Sequence, residues 1–140
     1  SLESGAYTVT ATAEAPLVAA VWQTTGFGAD ADFAWNTAAP AVTESTLVAV
    51  PRGPDPTISI ANPSDEDVTV SVAEQDDDPQ EVTVAAGATE VVEIDDRRLY
   101  TIDPRGASVH AAVGFAGDAG VASMAVWPDA ANPQPVVIYP

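Results

Sequence analysis

The chain has no cysteine and no lysine, a single histidine, His110, and a single methionine, Met124. Without cysteine there are no disulfides, no thiolate metal sites and no cysteine nucleophile. Export stays open, because an exported protein need not carry a disulfide. Four arginines (Arg52, Arg97, Arg98 and Arg105) stand against 21 acidic residues, giving a net charge of −17. Such a surface repels phosphate backbones and anionic lipid, which disfavours nucleic acid and membrane surfaces as partners. No apolar run in the sequence reaches the roughly 18 residues of a membrane span, and none has the layout of a signal peptide. A G-x-S-x-G elbow and a D-x-D-x-D-G calcium loop are also missing from the sequence.

Apolar residues make up 46% of the 140 positions, enough for a core and too many for a disordered acidic tail. The alanine-rich, lysine-free acidity fits either GC-rich coding of an exported protein or adaptation to high salt. The dominant period is two, that of a half-buried strand. Tyr7, Val9, Ala11 and Ala13 share one face, and Thr8, Thr10 and Thr12 the other. Ile58 and Ile60, then Val68, Val70 and Val72, then Val82 and Val84, then Val92 and Ile94 continue the pattern. Leu17, Ala19 and Val21 form a further inward set, as do Val109, Ala111 and Val113. β-branched residues dominate these runs, as a pleated surface favours. Turn chemistry separates them at Asn62-Pro63-Ser64-Asp65, Asp76-Asp77-Asp78-Pro79, Ala86-Gly87-Ala88 and Asp103-Pro104-Arg105-Gly106. No apolar stripe has helical period and length. About ten to twelve short strands, with a turn roughly every 8–12 residues, predict an all-β, antiparallel, immunoglobulin-like sandwich.

The end of the chain echoes its beginning. Tyr7-Thr8-Val9 returns as Tyr100-Thr101-Ile102, and Ala19-Ala20-Val21 as Ala111-Ala112-Val113. Gly28 and Trp35 return as Gly120 and Trp127, and Leu47-Val48-Ala49-Val50-Pro51 resembles Val136-Val137-Ile138-Tyr139-Pro140. An internal repeat of this length predicts an array of modules joined by proline-ended connectors. Residues 41–140 then form one sandwich, and residues 1–40 are the terminal strands of a preceding copy, packed on the next unit because an isolated hairpin is marginal in water.

The order of pieces is also informative. Ile58-x-Ile60-x-Asn62-Pro63 is followed by Val68-Thr69-Val70, Val82-Thr83-Val84-Ala85-Ala86-Gly87, Val91-Val92-x-Ile94, Tyr100-Thr101-Ile102 and Val109-His110-Ala111-Ala112-Val113. It resembles a family of large exported or membrane-anchored actinobacterial proteins built around repeated β-sandwich domains of unknown function. The resemblance implies a cell-envelope setting, outside the cell or at its surface. It carries over no activity and no functional residues.

Candidate chemistry is sparse. His110 falls on the strand face opposite Val109 and Ala111, and its echo is Val18, so the position does not require an imidazole. The acidic groups Asp65-Glu66-Asp67, Asp76-Asp77-Asp78, Asp95-Asp96 and Asp30/Asp32 read as solvated loops, since consecutive carboxylates rarely converge on one ion. Arg97-Arg98, the only basic pair, is expected to pair with Glu93, Asp95 or Asp96. Nothing marks a carboxylate pair for glycoside cleavage. Trp22, Trp35 and Trp127 are candidate sugar-stacking platforms. Repetition suggests instead that Trp35 and Trp127 are core residues or plugs between modules, leaving Trp22, the echo of Gly114, as the odd aromatic.

The expectation is therefore a non-enzymatic structural or adhesion-type module of a larger exported envelope protein. No catalytic, metal or cofactor residues are expected, and the partners are other modules of the same protein or a protein or glycan ligand. The alternative is a carbohydrate-binding module or a non-catalytic accessory domain of an envelope enzyme.

Overall fold

A computed structural model describes residues 6–118 and 120–128. Within them there are eleven strands and no helix. They are β1 (Ala20–Thr24), β2 (Phe33–Thr37), β3 (Ala41–Val42), β4 (Thr46–Ala49), β5 (Pro56–Ala61), β6 (Val68–Glu74), β7 (Gln80–Val84), β8 (Thr89–Glu93), β9 (Leu99–Asp103), β10 (Val109–Gly117) and β11 (Gly120–Ala125). Every pairing is antiparallel.

Two sheets face each other. One runs β11-β10-β5-β8, with β3 also pairing β10, and the other runs β4-β9-β6-β7. The inward sets read from the sequence meet between them, Ile58, Ile60, Val92, Val109 and Val113 from the first sheet against Val70 and Val84 from the second; Ile102 joins them, and so does Val48, because the segment expected as a connector at Leu47–Pro51 pairs with β9 as the core strand β4. Each such aliphatic side chain stabilises the fold by about 1.5–3 kcal/mol relative to exposure, which alternation delivers only if a second sheet faces the first.

The five consecutive strands β5 to β9 make the central pairings of an immunoglobulin sandwich: β5 with β8, and β6 with β9, with β7 outside β6. The two flanking places are filled from opposite ends of the run. β4, which precedes it, lies beside β9 where the last immunoglobulin strand belongs, and β10, which follows it, lies beside β5 where the first belongs.

The Asn62-Pro63 turn is more than a connector. Asn62 is 2% exposed. Its Nδ2 reaches the carbonyls of Glu66 (2.7 Å), Val84 (3.1 Å) and Ala85 (3.2 Å), while Oδ1 accepts from Ser64 N (3.0 Å) and Ser64 Oγ (2.7 Å). Two amide hydrogens serve three carbonyls, so at least one is shared. One side chain thereby ties the β5–β6 loop to the β7–β8 turn, where Gly87 takes a left-handed φ of 67°. Asp67 Oδ1 accepts from Ala86 N (3.0 Å) and strengthens the same tie.

The β1–β2 ribbon forms a separate two-stranded sheet, and β2 lies against β11. Asp32 fastens it there, its Oδ2 accepting from Val121 N at 2.9 Å. Gly120 gives that carboxylate room, because a Cβ at this position would collide with Asp32 Oδ2. Its echo, Gly28, serves another need, a φ of 137° in the ribbon's turn with open space around it.

Three expectations need revision. Residues 7–13 alternate like a strand but form none; Thr8 Oγ1 lies 2.6 Å from Thr89 Oγ1 on the edge strand β8. The echo does not carry over into register: β1–β2 opposes Trp22 to Trp35, whereas β10–β11 opposes Gly114 to Ser123, four residues short of Trp127. Register follows the turn, and a long turn joins β1 to β2 while a tight one joins β10 to β11. Arg98 pairs with Glu74 at 3.2 Å, not with Glu93, Asp95 or Asp96. The β6–β9 ladder opposes Glu74 to Tyr100 and so brings Glu74 up to the start of β9. The connector expected at residues 136–140 lies outside the described residues.

Asn62→Ala strands several buried carbonyls and the Ser64 amide at once. It is expected to cost about 3 kcal/mol and lower the melting temperature by about 10 °C or more, read by thermal denaturation. An unchanged melt would show that the turn is not held by this side chain.

Candidate functional site

His110 is half-buried on β10, where Ala61 and Ala41 are its neighbours across the sheet. Its Nδ1 lies 2.8 Å from Ala39 O. A carbonyl only accepts, so Nδ1 carries a proton and donates it, pinning the segment between β2 and β3 to the sandwich. The ring is thus engaged in architecture, and the bond it makes is to backbone.

The acidic groups stay apart. Asp65, Glu66 and Asp67 line an open depression of about 320 Å³ with Pro63, Ser64, Val68, Ala107 and Ser108. Asp76, with φ 72°, turns the β6–β7 connection, where Asp77 N bonds Glu74 O at 3.2 Å. Asp96 Oδ2 accepts from Gly53 N at 3.3 Å. Among the described residues no three acidic or histidine side chains gather at metal-binding distance. Arg105 pairs with Glu81, and Asp103 Oδ1 accepts from Arg105 N at 2.9 Å within the β9–β10 turn.

One polar cluster does join distant strands. Tyr100 is buried on β9; its hydroxyl accepts from Asp95 N at 2.8 Å and donates to Glu74 Oε2 at 3.3 Å. A tyrosine bonding backbone a few residues upstream is the corner device of immunoglobulin sandwiches. Burial raises the phenol above its ordinary 10.0, and the neighbouring Glu74 carboxylate adds to the effect, against the Asp95 amide, which lowers it.

The exposed aromatics lie elsewhere. Trp22, Trp35 and Trp127 are 51%, 59% and 69% exposed, so none is a core residue of this fold. Trp22 and Trp35 are direct cross-strand partners, and Phe33, opposite Thr24, shares their face. That face also carries Ala20 and Thr37; the reverse face carries Val21, Gln23, Ala34 and Asn36. Ala34 is the buried member, and Asn36 Nδ2 donates to Gln23 Oε1 (3.3 Å) and Val21 O (3.4 Å). The ribbon therefore turns its small and amide side chains inward and its large aromatic side chains outward, the reverse of ordinary amphipathic strands. Sequence reasoning singled out Trp22 but missed the pairing, because register across an eight-residue connection is not readable from either strand alone.

A phenol that holds its proton more tightly when folded stabilises the fold below its unfolded pKa and loses that contribution as pH rises through the folded one. Stability is accordingly expected to fall as pH rises above about 10. Tyr100→Phe should be about 1–2 kcal/mol less stable at neutral pH, with a shallower loss above pH 10 than the parent, measured by urea unfolding across pH. Parallel curves would show that Tyr100 does not carry the alkaline transition.

No curated protein and no solved structure matches the chain. A family model does match, over residues 1–95, spanning the ribbon and the sandwich as far as β8, and on that ground the chain belongs to the family of unknown function DUF5719.

Proposed function

We propose that the chain is a non-enzymatic structural or adhesion-type module of a larger exported, cell-envelope protein of repeated units, with neighbouring units as its first partners. One contrast carries this reading. In the sandwich Tyr100, Ile102, Val109 and Val113 are at most 6% exposed, while their echoes Tyr7, Val9, Leu17 and Val21 are 40–66% exposed. The same inward pattern is written twice and covered once. In β9 and β10 the cover comes from β4–β8, a set of strands with no counterpart ahead of Tyr7 in these 140 residues. A further unit supplying such strands would bury the exposed set. The actinobacterial, exported setting rests on the order of strand motifs and on the lysine-free acidity.

The test places a second copy of residues 41–98, which carry β3 to β8, ahead of Ser1. Amide hydrogen exchange at residues 7–9 and 20–24 is expected to slow at least about tenfold as these segments become paired and covered. Rates equal to those of the unextended chain would overturn the array reading.

A further inference from the structure

We infer that the outward face of the β1–β2 ribbon is a binding site for a neutral glycan, with Trp22 and Trp35 as a stacked-sugar platform and Phe33 extending it. The ribbon is held to the sandwich by Asp32 on Val121 N and by its small inner face, so the sandwich has no use for the three aromatic rings. Exposing them costs hydration free energy and needs a compensating partner.

Size selects the kind of partner. Two five-residue strands present a face roughly 17 Å long and 10 Å wide, far below the roughly 800 Å² per side of a stable protein interface. A short oligosaccharide fits such a strip. Directly opposed strand residues have Cβ atoms about 4.5–5.5 Å apart, so the two indoles spring from adjacent points of one face, with Phe33 about 7 Å further along β2. Rings in file can stack on successive sugar units, whose C–H faces are apolar and whose rims are hydroxylated.

Charge selects the class. Neither strand carries a charged side chain, although 18% of the whole chain is charged. The flanking residues on the face are the uncharged Thr37 and Thr24, the latter's hydroxyl donating to Gly26 O (2.7 Å) and Asp32 O (3.0 Å) in the ribbon's turn. The ribbon itself carries no basic residue to hold a uronate, sulfate or phosphate, and the net charge of −17 repels one. An uncharged polyol is the ligand that loses least on entering this surface.

The inference does not depend on the array. The inward set Tyr7, Val9, Leu17 and Val21 and the outward set Trp22, Phe33 and Trp35 are different residues, and on the ribbon itself Val21 lies on the face opposite the aromatics. Cover for the first leaves the second open. Loss of saccharide binding and loss of exchange protection in the extended chain are therefore separate results.

The experiment titrates the 140-residue chain with neutral hexasaccharides of glucose, mannose, xylose and N-acetylglucosamine, following tryptophan emission. Oligogalacturonate and oligolysine serve as charged controls. At least one neutral series is expected to shift the emission with a Kd between about 10 µM and 10 mM. Trp22→Ala and Trp35→Ala should each weaken binding at least about tenfold, Trp22→Phe should retain most of it, and Trp127→Ala should leave it unchanged. Since these rings are exposed, the melting temperature should stay within about 2 °C in every variant, which separates loss of the platform from loss of the fold. No response to any neutral hexamer at about 10 mM would overturn the inference. So would binding that survives both alanine variants, or a response to oligolysine or oligogalacturonate alone.

Discussion

An alternating strand stabilises a protein only when its apolar face meets another face, and the architecture of this chain follows from which strands find one. β4 to β10 do. Their valines and isoleucines close on each other between two sheets, and the polar ties at Asn62 and Tyr100 sit at the ends of that seam, where loops must be held without opening the core. The segment from Tyr7 to Thr37 carries the same pattern and finds no second sheet. Residues 7–13 form no strand, and β1 and β2 pair in a sheet of their own.

This difference organises the surface as well. A ribbon that buries little beyond Ala34 is fastened by specific bonds as well, and Asp32 accepting from Val121 N, with Gly120 leaving it space, does so. His110, bonded to Ala39 O, holds the connection that follows. The lone histidine, the first place to look for catalysis, and Asp32, one of the acidic groups read as solvated loops, are thus employed in joining the ribbon to the sandwich. The aromatic residues that looked most like packing are the ones in solvent. Candidate function moved from titratable side chains to an uncharged aromatic face.

Strand placement from Ile58 to Val113 was legible because period-two alternation, β-branched residues and Pro/Gly/Asn turns agree there, position by position. The Asn62-Pro63 turn was legible as a turn, but its role as a tie was not, since its bonding partners Val84 and Ala85 lie more than twenty residues away. The ion pair of Arg98 with Glu74 was hidden for the same reason. Sequence proximity favoured Glu93, Asp95 and Asp96, while the β6–β9 ladder decided otherwise. Residues 7–13 misled because alternation reports what a segment could bury and not whether a neighbour is present.

The sequence by itself determined an antiparallel all-β chain, the inward sets of the sandwich strands between Ile58 and Val113, the turns between them and a surface hostile to anions, all of which depend on local period and charge. Only the tertiary structure decided the rest: that β4 and β10 take each other's customary places beside β9 and β5, that Tyr7, Val9 and Val21 remain uncovered, and that Trp22 and Trp35 stand opposite one another on an open face. These are facts of pairing between distant segments, and pairing is fixed by the whole set of strands competing to be covered.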